Sequence, residues 1–322
     1  MKSKKTILRR ADVRPARRAA NKHPRPSRGG FSTRRAGDLF FLVAGNLSRV
    51  PWLVHGFSTR GGGASSLDGR QVLNLGNVEW DTAPSVSANR RAFLAALRSG
   101  EGKSPAATEL VTLRQVHSDV IHEIRAAPTG VLRGDAAVTR KAGLLLAVQT
   151  ADCIPILLAD TRRRAVAAVH AGWRGTLARI ATKTLGQMRM KFGTRARDVR
   201  AALGPGIGVC CYEVGIEVVQ TFHAQFANAS DWFAGPFDRL VQDDSPNPLQ
   251  WLNRMPPGHQ PPPPTALLDL RAANCRQLLD AGVPARNIAI SPLCTACRTD
   301  LLFSHRRERG KTGRMMGVIG IL

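Results

Sequence analysis

The chain has 322 residues, a hydrophobic fraction of 43% and a formal charge of +24. That length and apolar content suffice for one large core or two small ones, and no stretch reaches the roughly 18 uninterrupted apolar residues of a membrane span. Six cysteines, two of them adjacent at Cys210 and Cys211, do not read as a disulfide framework, so a reducing, cytoplasmic setting is expected.

The charge is unevenly placed. Residues 1–35 hold 13 Lys or Arg against one Asp. With Pro24, Pro26, the Gly29-Gly30 pair and few large apolar groups, residues 1–37 are predicted to be a disordered basic tail. Such a tail can touch nucleic-acid phosphates or be an idle solvated extension. It is Arg-rich and acid-poor like a transit peptide, but lacks a clear cleavage signal.

The folded part is expected from residue 38 to 322. Leu39–Val43 and Trp52–Phe57 read as strands. The run Ser58-Thr59-Arg60-Gly61-Gly62-Gly63 follows as a glycine-rich loop, either an exposed turn or a backbone cradle for an anion with Arg60 beside it. Residues 82–98 read as a helix, with Thr82 or Asp81 as cap, Pro84 in the first turn, and Val86, Phe93, Leu94 and Leu97 on one face.

The centre of the chain is 144–175. Leu144–Gln149 and Ile154–Ala159 are apolar runs of buried-strand length, joined by Thr150-Ala151-Asp152-Cys153. A third run, Ala165–Val169, ends in His170, and Gly172 and Gly175 turn the chain into a helix from about Leu177 to Phe192. Trp173 and Arg174 fall at that helix start, where backbone donors favour an anion. Upstream, His117 lies in Leu113–Ile121. His117, Cys153 and His170 form a three-ligand set that suits zinc and leaves a fourth position open, but their spacings of 36 and 17 residues require the fold to assemble them. Read singly, Cys153 is also a small core residue, and each His a hydrogen-bonded one. Asp152 weighs toward function, because a carboxylate beside a buried thiol needs something to use its charge.

Val199–Leu203 is a further strand, opening into a glycine cluster without dinucleotide spacing. Residues 213–226 suit a helix. Residues 228–264 are rich in Asp, Asn and Pro and read as a proline-rich surface insertion. A helix ending at Gly282, a strand at Ile288–Ile290 and a last strand at Met316–Ile321 close the chain. Cys294 and Cys297 make a C-x-x-C pair, but along the chain only His305 is near, so the ligand count argues against a separate zinc site.

Several stretches together resemble one family, the YfiH-type laccase-domain family labelled polyphenol oxidase or purine nucleoside phosphorylase. They include HGFSTRGGG at 55–63, RQVHSDV at 114–120, TADCIPILLAD at 150–160, HAGWRG at 170–175, LGPGIGVCCYEVG at 203–215 and FSHRRERGKTGR at 303–314. The resemblance covers nearly all of 40–322, in order, and omits the basic tail and the proline-rich part of the insertion. It departs at Gly134 and at Glu308, where Ala and Asp are usual.

The resemblance implies a single compact α/β domain of mixed sheets packed together with outer helices. It implies a zinc site at His117, Cys153 and His170, with copper as the other candidate metal. It implies phosphorolysis of purine nucleosides to base and ribose 1-phosphate, with adenosine deamination as a second activity. On that reading Arg60, Arg174 and Arg306 are candidate phosphate clamps, Asn74 a substrate contact, and Asp152 an acid, base or ligand-orienting group. Two alternatives stay open. Copper-dependent phenol oxidation would need many histidines, and the chain has eight and no His-x-His. A metal-free hydrolase would use Cys153 as nucleophile with His117 or His170 as base.

Overall fold

The computed structural model describes residues 30–99, 108–235 and 265–322. Two six-stranded sheets form its centre. In the first, the spatial order is Phe31–Ala36, Leu39–Ala44, Leu53–Ser58, Met315–Ile321, Leu144–Thr150 and Glu109–Thr112. In the second it is Ile288–Ile290, Val199–Leu203, Ile154–Asp160, Ala165–Ala171, Ala136–Thr139 and Ile121–Glu123. Both are mixed. Most neighbours run antiparallel, while Glu109–Thr112 lies parallel to Leu144–Thr150, and parallel pairs flank the second sheet.

Strand periodicity explains the layering. In Ile154–Asp160 every residue is buried. Leu157 and Ala159 face the first sheet, packing with Leu146, Val148 and Ile319. Ile154, Ile156 and Leu158 face the helices, packing with Ile180, Phe222 and Leu278. Alternate side chains of a strand point to opposite faces, so a strand covered on both must be apolar throughout. On the outer face of the first sheet, Phe93 and Leu97 of helix Ala83–Ser99 cover Phe41, Val54 and Leu145. Thr82 starts that helix, its hydroxyl accepting the Ser85 backbone N–H at 3.3 Å. The result is helix, sheet, sheet, helix, the mixed α/β architecture expected.

Four expectations are corrected. A strand precedes residue 38: Phe31–Ala36 pairs antiparallel with Leu39–Ala44, its Phe31, Arg34 and Ala36 half-buried and the rest exposed, as suits a basic segment at a sheet edge. Gly61–Leu67 is neither an exposed turn nor an anion cradle but a strand paired with Arg70–Val72, docked by Asn89, whose Oδ1 accepts the Ala64 N–H at 2.6 Å. The helix after His170 is broken, running Trp173–Leu177 and then Ile180–Phe192, with Arg179 at φ 61° between them. Trp232 and Phe233, inside the expected insertion, are buried. Residues 1–29 and 236–264, the rest of the expected tail and insertion, lie outside the described residues. Among the described residues no helix is long and apolar enough to cross a membrane.

A candidate metal centre where the two sheets meet

Thr150 ends a strand of the first sheet and Ile154 begins one of the second. The chain therefore changes sheets through Ala151, Asp152 and Cys153. Asp152 makes this turn at φ 92°, a conformation few non-glycine residues adopt. Its buried carboxylate is held from three sides. Oδ1 accepts the hydroxyls of Thr295 at 2.6 Å and Ser304 at 2.7 Å, and Oδ2 accepts the Arg306 backbone N–H at 2.7 Å. These bonds tie two late loops to the turn that presents Cys153.

His170 comes from the neighbouring strand, in register with Pro155. His117 lies on the connection after Glu109–Thr112 at φ 59°. That connection is pinned by Gln115, which exchanges two hydrogen bonds with the Gln149 backbone, each at 2.7 Å. The Cys153 Sγ lies 3.8 Å from His117 Nε2, and the three ligand atoms of His117, Cys153 and His170 all fall within 4.8 Å of one another. Gly172 leaves room for them: a Cβ there would stand 3.0 Å from the Cys153 Sγ and 3.0 Å from the His117 ring.

The fold adds a residue that sequence reasoning missed. Asp135 is fully buried, and its Oδ1 accepts from His170 Nδ1 at 2.8 Å. It also accepts the backbone N–H groups of Val116, His117 and Ser118 and the Ser118 hydroxyl. One carboxylate thus orients both histidines. Occupying His170 Nδ1 turns Nε2 toward Cys153, the arrangement by which a carboxylate fixes a ligating imidazole. A lone Asp ahead of the buried strand Ala136–Thr139 was the available signal, since a buried charge needs partners.

The electrostatics follow. Burial alone would raise the Cys153 thiol, but the His170 charge and hydrogen bonds from both imidazoles outweigh it and hold the pKa at about 6. Burial alone would lower His170, but the Cys153 charge and the Asp135 bond raise it to about 9. Asp135 is held well below the usual carboxylate range, its burial outweighed by bonds from His170 and Ser118. Each group thus favours the charged form of the other, thiolate beside imidazolium.

The three ligand groups open on a cleft of about 880 Å³. Arg174 and Arg306 line it, with Arg174 stacked on Trp173 and Arg306 on Tyr212. So do Arg90, Arg114 and Arg314, from three unrelated elements. Two expected residues stand elsewhere. The Arg60 guanidinium is spent on Glu308 at 3.0 Å and on the Phe303 ring, away from the cleft wall. Asn74 is fully buried, with Oδ1 accepting the Arg314 N–H at 2.9 Å and Nδ2 donating to Asp81, so it positions Arg314 and does not face the cleft. Asp152 borders the cleft, but its oxygens are engaged as described.

Two imidazoles and one thiolate, converging with a fourth side open, are a donor set that fits a tetrahedral divalent ion such as zinc. Fold and site together define a two-sheet α/β protein built around a thiolate–bis-imidazole centre. The chain belongs to the multi-copper polyphenol oxidoreductase laccase family, whose model matches residues 54–322. It is 37% identical over 277 residues to a purine nucleoside phosphorylase of Deinococcus radiodurans, covering 85% of this chain and 92% of that one. It is 39% identical over 194 residues to adenosine deaminase RL5 of an unknown prokaryotic organism, covering 60% of this chain and 63% of that one. The crystal structure of the hypothetical protein YfiH of Bacillus licheniformis superposes with a TM-score of 0.72 at 29% identity, over 90% of this chain and 99% of that one. The family places this chain among enzymes.

Proposed function

We propose that the chain is a zinc-dependent purine nucleoside phosphorylase. The observation that carries this reading is the convergence of His117, Cys153 and His170 at the floor of an arginine-lined cleft. The name of the Deinococcus relative supports the same reaction. His117, Cys153 and His170 would hold the ion, which supplies Lewis acidity toward a phosphate or polarises a water.

The chain's own residues supply the rest. Arg174 and Arg306, with Arg90, Arg114 and Arg314, bring guanidinium forks to a phosphate dianion. A phosphate oxygen attacks C1′ of the ribose, the bond from C1′ to the purine nitrogen breaks, and its electron pair leaves with the base. The departing purine then takes a proton. His305 stands on the cleft wall, where its imidazole can pass a proton to the base. Trp173 and Tyr212 offer aromatic faces to the purine. Asp152 acts as a positioning residue, because its oxygens already accept three hydrogen bonds.

The 39% identity to adenosine deaminase RL5 supports a second reaction at the same site, hydrolytic loss of the purine amino group. A nucleoside panel, incubated with and without phosphate, before and after chelation, separates the readings. Phosphate-dependent base release that chelation abolishes is expected. Ammonia release without phosphate marks the deaminase, and dioxygen uptake by copper-loaded protein marks an oxidase. Full phosphorolysis in both Cys153→Ala and His117→Ala would end the metal reading.

A further inference from the structure

Cys294 and Cys297 do not stand alone. The loop Gly204–Cys211 folds against them, joined by the parallel bridge of Gly206 to Cys294 and by the Thr295 N–H donating to the Gly206 carbonyl at 3.1 Å. This carries Cys210 and Cys211 onto the C-x-x-C pair. We propose that Cys210, Cys211, Cys294 and Cys297 form a second metal site, a tetrathiolate that holds one zinc ion.

The geometry is that of four ligands sharing one centre. All four sulfurs lie within 4.8 Å of one another. The Cys210 and Cys211 Sγ atoms stand 3.5 Å and 3.4 Å from that of Cys297. In a tetrahedron with zinc–sulfur bonds of about 2.3 Å, neighbouring sulfurs are about 3.8 Å apart. Four soft thiols in this arrangement select zinc or iron over the hard divalent ions.

The surroundings also suit an anionic tetrathiolate. The Gly208 N–H donates to the Cys294 Sγ at 3.2 Å. A Cβ on Gly208 would stand 3.2 Å from the Cys210 Sγ and 3.3 Å from the Cys294 Cβ, so the bare backbone fits between the two thiols. The guanidinium of Arg271 packs on the same glycine, held by the Ser291 carbonyl at 2.8 Å. The ion replaces thiol protons, which go to solvent, and no electron moves.

The site would clasp two loops that form one wall of the cleft. Tyr212 follows directly after Cys211, and the Thr295 hydroxyl holds Asp152. This inference is independent of the proposed reaction, because it uses none of the three residues at the first centre.

The test counts metal in the full chain, expressed with zinc and purified anaerobically under reductant. Elemental analysis should find two zinc ions per chain. The His117→Ala/Cys153→Ala double variant should keep one, and Cys210→Ser/Cys297→Ser, which changes two exposed thiols, should lose one. Replacing zinc by cobalt in the first double variant should give the intense charge-transfer and ligand-field bands of a four-sulfur tetrahedral site. Adding Cys297→Ser should change those bands. A metal-free first double variant would overturn the proposal even if the cysteine variants failed to fold. So would iron in place of zinc, or a disulfide joining Cys297 to Cys210 or Cys211 in protein never exposed to oxygen.

Discussion

Asp135 is the residue on which the first centre turns. Its carboxylate reaches His170 through the side chain and His117 through the backbone. Asp135→Asn retains the shape but loses the charge, and the amide can present its NH2 group to His170. Losses of about 10- to 100-fold in metal affinity are usual when such a partner is removed. We expect a loss of that size for Asp135→Asn, read by competition against a chromophoric chelator; unchanged affinity would show that Asp135 only braces the loop. Sequence reasoning reached His117, Cys153 and His170 because their residue types announce ligand chemistry. It passed over Asp135, whose role depends on a strand register pairing positions 35 residues apart. It also placed Arg60 at the site for its charge, whereas Glu308 claims that charge through a loop joined only in the fold.

At the scale of elements, the turn 150–153 and the loops 291–298 and 303–308 form one unit around the Asp152 carboxylate. Asp152→Ala strands the Thr295 and Ser304 hydroxyls and the Arg306 N–H, three groups it now satisfies. Buried groups left unpaired cost about 1–3 kcal/mol each. A loss of about 3 kcal/mol or more in urea unfolding is expected, together with impaired activity; a loss under about 1 kcal/mol would show that water replaces the carboxylate.

The strand Leu53–Ser58 yields a prediction about pH. His55 is buried and accepts the Ala44 N–H at Nε2, 3.0 Å away. Burial and then the Arg34 charge lower its pKa to about 4. Its folded value lies below the unfolded value of about 6.5, so between the two the unfolded chain binds more protons. Its contribution is full above pH 6.5 and is lost as pH falls through 4, reaching about 3 kcal/mol. The stability difference between the protein and His55→Gln should therefore shift against the protein by that order from pH 7 to pH 4. A difference independent of pH would mean that His55 is not buried neutral.

At the scale of the whole molecule, the basic surplus and the cleft are separable. Residues 1–29 carry 11 Lys or Arg and one Asp. Their removal spares Phe31–Ala36, the edge strand of the first sheet. The truncated chain is expected to keep its unfolding temperature and the phosphorolysis proposed for it, and any binding of duplex DNA should become weaker with a shallower salt dependence. Undiminished binding would move the contact to another basic surface. Arg140, Arg162, Arg163 and Arg164 line such a surface, around a pocket of about 440 Å³.

The buried central strands and the main helices could be read from apolar periodicity, because a buried strand or helix face is written in neighbouring residues, whereas the edge strands Phe31–Ala36 and Gly61–Leu67 could not. The candidate ligand set His117, Cys153 and His170 could be read from its chemistry and from motifs spread along the chain. Which loops meet was decided by the sheets. The four cysteines show this most directly: on ligand count, Cys294 and Cys297 lacked partners until the fold brought Cys210 and Cys211 to them, across 87 and 86 residues from Cys297. Side chains that meet only in space leave no local pattern, since sheet register and the packing of two layers place them, and both depend on contacts between distant segments.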